Sequence, residues 1–499
     1  MLKNKLLIWL VAVAAVTCGG RVDDRAHSVI LITLDTTRAD FLSTYGYPES
    51  ITPHLDQLAA EGSRFDLAIS TAAVTPVSHA SILTGLNNQA HGLRVLSAAG
   101  GFRLRPDVPT LATVLQEHGY HTAAIHSAFP VSAHFGLDRG FEAFESFALA
   151  AIHPRRLTRP GRRLQRRSDD TTDLVLTFLK EIEDPYFLWV HYWDPHDRVL
   201  LPPAKFMQTV GEGSTLEEGV GAVLSSNRSV YAAEVRFMDS QIGRIFQHLR
   251  ESGKDDQTMI VVVSDHGQGL GDHGWGFHRI LYQEQIRVPL IIKVPWLDQV
   301  DRLLALVRTT DIFPTVLEIL GIELPMKVSG KSLLQMMEGD DESGRIAFAD
   351  QINSFDLNAE IVSRRPHDDF LYCAMDREWK LIYRPTRPEQ SELFNLVEDP
   401  AEQRNLYRRR PEEALRLMRE LAESSPWVTA PFTSEGGSGD LAATRSALSA
   451  LGYMGGKREA VSGPSWSWVC PGRPDQVSTD RRRGDCPTPL IPVARTALR

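Results

Sequence analysis

The sequence predicts an α/β protein: a mostly parallel sheet flanked by helices, followed by a small α+β subdomain. Two apolar runs and the segments between them carry that prediction. VILITL at Val29–Leu34 and TMIVVVS at Thr258–Ser264 are nearly unbroken apolar stretches. Without period-2 alternation they read as strands buried on both faces, as in a parallel sheet. The intervening segments show helical spacing, and strands alternating with helices are the pattern of a parallel sheet.

The elements follow in order. Thr52 and Pro53 open HLDQLAAEG, with Thr52 at the N-cap, Pro53 at the first helical position and Gly62 at the end. Pro109 to Gly119 repeats that pattern, and His121 to His126 reads as a strand. A helix over Asp173 to Ile182 leads to a strand over Tyr186 to Tyr192. A long amphipathic helix runs from about Ser229 to Glu251, and Val288 to Val294 is a further strand. After about residue 340 the pattern changes: Phe370 to Tyr383 reads as a hairpin turning at Asp376-Arg377-Glu378, and Pro411 to Ser424 as a helix. The expected organisation is a main domain over 28–340, a subdomain over 341–455 and a disordered tail over 456–499. That tail has six prolines from Ser462 onward and little periodicity. Cys470 and Cys486 would pair there in an oxidising compartment.

Composition narrows the function. The chain has 499 residues, 42% apolar and 23% charged, enough to bury a large core. Its 54 basic and 63 acidic side chains leave a net charge of −9, which argues against nucleic acid as a partner. Four cysteines exclude a disulfide scaffold. Lys3 and Lys5 precede a 12-residue apolar run, Leu6 to Thr17. It is too short to span a bilayer and reads as an export signal over residues 1–20. Ala15-Val16-Thr17-Cys18 resembles a bacterial lipobox, so Cys18 is a candidate for lipidation and membrane attachment; simple cleavage is the alternative. The expected location is the periplasm or cell surface. Arg155 to Arg167 holds seven arginines and reads as a solvated loop, with an anion-binding patch as the alternative.

Asp35 directly follows the first strand, and Asp265 with His266 directly follows the strand ending at Ser264. Active sites of doubly wound sheets lie beyond these carboxyl ends. Thr75 precedes a short helix expected over Ser78 to Leu83, ending near Gly85, where free N–H groups favour an anion. Two carboxylates, an imidazole and a hydroxyl can form a metal shell. A metal would lower the hydroxyl pKa and create a nucleophile near neutral pH. Taken singly, each residue has a plainer reading: a helix-capping aspartate or a core histidine.

The chain resembles the sulfatase family of the alkaline phosphatase superfamily. Matching stretches are ILITLDTTRADFLSTYGY (30–47), TPHLDQLAAEGSRF (52–65), TPVSHASILTG (75–85), WDPHD (193–197), VVVSDHGQGLGDHG (261–274) and LYQEQIRVPLII (281–292). TDIFPTVLEILGI (310–322), WKLIY (379–383) and ELFNLVEDPAEQRNL (392–406) follow. The resemblance implies an alkaline-phosphatase-like fold and a metal-dependent hydrolase of ester bonds.

The departures from the family pattern are coherent. Formylglycine sulfatases carry Cys or Ser in a C/S-x-P-x-R signature; here that position is Thr75 and the arginine position is His79. Val77 stands in the proline slot, and Pro76 comes one residue earlier. Oxidised threonine would be a ketone, not formylglycine. Thr36 replaces the second Asp of the family's Asp-Asp pair, and His278 replaces its lysine. The resemblance therefore implies a threonine-alkoxide site like those of the superfamily's phosphodiesterases and phospho-transferases.

By that resemblance Asp35, Asp265, His266 and Thr75 would hold a divalent metal. Zinc or manganese is favoured over calcium because of the histidine. Thr75 would be the nucleophile. His196 and His278 would contact the substrate, assist the leaving group, or join Asp194 around a second ion. Arg38 and His79 are expected in or near the pocket, with a structural salt bridge as the alternative for Arg38. His273 is a rim contact or a bystander; His91, Asp40, Tyr45 and Lys380 read as fold residues. The leading expectation is hydrolysis of a phosphodiester or phosphonate monoester, on a small-molecule, glycan or lipid substrate. Sulfate-ester hydrolysis, phospho-transfer to a lipid or glycan, and anion binding without catalysis are the alternatives.

Overall fold

The computed structural model describes residues 27–96, 103–145, 165–196, 201–207, 228–340, 344–353 and 363–424. It also gives the backbone of three short strands beyond residue 465. The export segment, Cys18, most of the arginine-rich stretch and Cys486 lie outside these residues.

The main sheet has eight strands: β1 (Ser28–Leu34), β2 (Ser63–Ile69), β3 (His121–His126), β4 (Ala143–Glu145), β5 (Tyr186–Tyr192), β6 (Thr258–Ser264), β7 (Arg287–Lys293) and β8 (Arg302–Arg308), in the order β4-β3-β5-β1-β6-β7-β2-β8. The run from β4 to β6 is parallel, and β7 lies antiparallel to both β6 and β2. Pro289 in β7 has no N–H to give, and opposite it the register of β2 shifts between Phe65 and Ala68.

Helices cover both faces. They are α1 (Pro53–Glu61), α2 (Thr75–Thr84), α3 (Leu111–Glu117), α4 (Ser168–Glu181), α5 (Arg228–Glu251) and α6 (Ile312–Ile319). Along β1 the side chains alternate between two cores. Val29 and Leu31 join α2, α3 and α6, while Ile30, Ile32 and Leu34 join α1, α4 and α5. Two-sided burial explains why β1 reads as an unbroken apolar run.

Helix α1 begins after Thr52 as expected, but the Thr52 hydroxyl does not cap it. That hydroxyl accepts from the Ser43 backbone N–H at 2.9 Å. The free N–H groups of His54 and Leu55 go instead to Asp239 of α5, at 3.3 and 2.9 Å. In α3 the cap is Thr110, one residue after Pro109, and its hydroxyl accepts from Thr113 at 3.1 Å.

The subdomain is a four-stranded antiparallel sheet of β9 (Ala347–Ile352), β10 (Phe370–Met375), β11 (Trp379–Tyr383) and β12 (Glu392–Asn395), with α7 (Pro411–Ser424) on one face. Its other face packs on Trp275, Ile280, Leu281 and Ile286, a segment that belongs to the loop after β6. Tyr282 bonds Glu392, Asn353 bonds the Arg279 carbonyl at 3.0 Å, and Glu402 accepts from the Gln283 N–H at 2.6 Å. Glu402 also pairs with Lys380 at 2.7 Å, both fully buried.

The tail differs from expectation. Trp466–Cys470, Arg473–Ser478 and Ile491–Ala494 form a three-stranded antiparallel sheet. The aromatic and β-branched residues of WSWVC and IPVA favour strands, despite the prolines around them. Among the described residues, no helix is long and apolar enough to cross a membrane.

Two stability outcomes follow from buried charges. Burial pushes the Asp239 carboxyl up to about 7, against about 4 for an ordinary aspartate. The folded chain keeps a proton that the unfolded chain releases, so this contribution is complete below about pH 4 and is lost as pH rises to about 7. Asp239→Asn should flatten the melting temperature across that window; an unchanged slope would count against the assignment. Glu402→Gln strands Lys380 without its counter-charge and should cost about 3–5 kcal/mol by denaturant unfolding.

Candidate active site

Strands β1 and β6 are neighbours with Leu34 opposite Ser264, so the residues after each strand emerge side by side. Asp35, Asp265 and His266 thereby meet, with one ligand atom of each within 4.8 Å of the others. Among the described residues this is the only such set of three His, Cys, Asp or Glu side chains. Thr36, between Asp35 and the next turn, holds φ at +49°, a strained value for a β-branched residue. That turn aims the Thr36 N–H at Asp265 Oδ1, 3.0 Å away, where the His266 N–H also donates at 2.7 Å.

Thr75 is the first residue of α2 itself, three residues earlier than the predicted start. Its Oγ1 lies 3.4 Å from His266 Nε2. His266 Nδ1 is 2.9 Å from the Gly267 carbonyl. A carbonyl only accepts, so Nδ1 carries the proton and Nε2 offers a lone pair to the Thr75 hydroxyl. Burial holds His266 neutral, with its pKa lowered to about 3.

Burial, and for Asp35 also the facing Asp265 charge, push both carboxyls far above the ordinary range. The Thr75 hydroxyl pulls Asp35 partly back. Asp35 Oδ1 is buried with no hydrogen-bond partner. An orphaned carboxylate oxygen, a facing carboxylate, an imidazole lone pair and a hydroxyl suit a divalent ion.

His196 and His278 also arrive beside this set. Their Nε2 atoms are 3.3 Å apart, and the His278 ring stacks on His266 with centroids 4.7 Å apart. His278 Nδ1 bonds the Ala73 carbonyl at 2.8 Å, so its Nε2 too is a lone pair. Asp194 does not join them. Its carboxylate caps α4, accepting from the Ser168 N–H at 3.1 Å and from the Ser168 hydroxyl. Among the described residues, Asp194, His196 and His278 form no metal-ligand cluster, and the same cap starts α4 five residues before the predicted Asp173.

Arg38 takes the structural alternative. Its guanidinium pairs with Asp40 and Asp272, each at 2.7 Å, and bonds the Gln268 carbonyl. His79 is fully buried behind Thr75, with Nδ1 on the Thr75 carbonyl at 2.7 Å. His273 stacks on Tyr282 at 3.8 Å and bonds Glu284, away from the ligand set. His91 is buried on Ser81. His191 escaped the sequence reading. It sits in β5 with Nε2 3.2 Å from Asp35 Oδ2, and the signal was one histidine inside the apolar run YFLWVHY.

The profile of the sulfatase family matches residues 27–322, more than half of the chain. The chain belongs to the sulfatase family. A second profile, the C-terminal region of N-sulphoglucosamine sulphohydrolase, matches residues 271–425 and so begins in the loop that the subdomain grips. Sulfatase-family proteins are ester hydrolases that usually bind a divalent metal. One curated relative is the multifunctional alkaline phosphatase superfamily protein PehA of Trinickia caryophylli, 28% identical over 76% of this chain and 91% of its own. Another is the N-acetylglucosamine-6-O-sulfatase of Bacteroides thetaiotaomicron, 23% identical over 84% of this chain and 90% of its own. Among solved structures, the phosphonate monoester hydrolase of Agrobacterium radiobacter shares the fold, with a TM-score of 0.63, 22% identity, and coverage of 80% and 95%.

In this sulfatase-family site the two facing carboxylates destabilise the metal-free fold. Asp265→Asn keeps an acceptor for the Thr36 and His266 N–H groups while removing one charge. It should melt a few degrees higher than wild type in chelator, yet gain nothing from zinc, which should stabilise wild type. Thermal melts with and without zinc check both halves.

Proposed function

We propose that this sulfatase-family hydrolase cleaves singly charged phosphorus esters, a phosphodiester or a phosphonate monoester, with Thr75 as the nucleophile. The observation that carries this reading is a threonine hydroxyl, not a formylglycine precursor, set against Asp35 and 3.4 Å from the His266 lone pair. A divalent ion held by Asp35, Asp265, His266 and Thr75 would lower the hydroxyl pKa and offset charge on the transferring group. The His266 lone pair supports zinc or manganese over calcium.

Thr75 Oγ attacks phosphorus, the Thr75 O–P bond forms, and the bond to the leaving alkoxide breaks. Water then attacks the phosphothreonine, freeing the Thr75 oxygen and the phosphorus acid. With His278 Nε2 a lone pair, His196 Nε2 supplies the proton between the rings. The His278 imidazole, kept neutral by burial, in place of the family's lysine supports singly charged substrates over phosphate-monoester dianions.

That same neutrality favours sulfate monoesters as a second reading, since they too carry one charge. The basic and apolar N-terminus supports export, with Cys18 as the lipid attachment point.

Thr75→Ala should lower hydrolysis of an aryl phosphonate monoester by about three orders of magnitude or more, while Thr75→Ser retains most of it. Undiminished turnover in Thr75→Ala would overturn the mechanism. Aryl sulfate and diaryl phosphate assayed side by side rank the two readings by kcat/KM.

A further inference from the structure

We propose that His191 is a positioning residue for the metal site, fixing which oxygen of Asp35 faces the ion. The inference rests on the reading of Asp35 as a ligand.

The argument is one of proton placement. The Ser127 backbone N–H points at His191 Nδ1 from 3.3 Å. An amide nitrogen only donates, so Nδ1 must be the lone pair and the ring's single proton sits on Nε2. Nε2 lies 3.2 Å from Asp35 Oδ2 and donates to it. Asp35 Oδ1, the orphan, is left as the ligand atom.

His191 is itself held on every side. The Ser127 hydroxyl donates to the His191 carbonyl at 2.6 Å and contacts Thr171 of α4 at 2.7 Å. The ring meets His79 edge-on, with centroids 5.1 Å apart. Ser127 follows β3, His191 is in β5 and Asp35 follows β1, which are three consecutive strands of the sheet. The chain of bonds thus ties Asp35 to the sheet's frame.

The contrast with its neighbours gives the role its specificity. His79, His266 and His278 each spend Nδ1–H on a carbonyl, which leaves Nε2 as the lone-pair nitrogen. His191 has the reverse tautomer and is the ring of these four that shows Asp35 an N–H. Without that donor both oxygens of a buried carboxylate are free to rotate, and the ligand geometry is lost.

The test is zinc affinity of the full chain, by competition with a chromophoric chelator, for wild type, His191→Asn, His191→Gln and Asp35→Ala. Asn can satisfy Ser127 but is too short to reach Asp35; Gln carries an amide N–H to about the reach of Nε2. Expected are a roughly 10–100-fold weaker affinity in His191→Asn, recovery of most of that loss in His191→Gln, and similar melting of both variants in chelator. Wild-type affinity in His191→Asn, or equal losses in both variants, would overturn the positioning role. Undiminished affinity in Asp35→Ala, or no zinc bound by wild type, would instead remove Asp35 as a ligand and this inference with it.

Discussion

Two carboxylates forced together without water are the constraint on which the rest of this site depends. Asp35 and Asp265 stand at adjacent strand ends, both fully buried. Arg38, three residues from Asp35, spends its charge on Asp40 and Asp272. Burying two like charges is costly unless something positive or protic meets them. The fold answers with directed N–H groups: Thr36 and His266 on one oxygen of Asp265, and His191 on one oxygen of Asp35. The other oxygen of Asp265 meets the Ser78 hydroxyl at 3.5 Å, while Asp35 Oδ1 has no hydrogen-bond partner.

Much of the frame was legible because two-sided burial writes an apolar run into the sequence. β3, β5 and β6 fall where the pattern puts them, and the hairpin turns where Asp376 to Glu378 suggested. β2 and β8 were missed for the opposite reason. Arg64 and Asp66 interrupt the first, and the second is an edge strand with its start exposed. The start of α4 was misplaced because its cap comes from far away: Asp194 caps it across 26 positions, and no local motif marks it. The start of α1 was marked by Thr52 and Pro53, although the cap itself is Asp239, 185 positions away.

The site was legible as a set of residue types and illegible as a set of directions. Asp35, Thr75, Asp265 and His266 could be placed from strand ends and family motifs. Which nitrogen of each histidine bears the proton depends on carbonyls and amides brought in from other elements: Gly267 for His266, Ala73 for His278, Ser127 for His191. Asp194 had the right chemistry for a ligand and the wrong neighbour, a helix start that needed an acceptor more.

The grip of the subdomain on the loop after β6 sets an order of events during synthesis. His278 is carried by a segment whose backbone is held by Asn353 and Glu402 and whose Tyr282 hydroxyl is held by Glu392, all late in the chain. A nascent protein that has emerged only as far as His266 already owns every candidate metal ligand but not the clamp that seats His278. The pocket therefore matures last, from the C-terminal side. An ion captured early would meet an open, wet site, and a finished one only after residue 402 has taken its place beside Lys380.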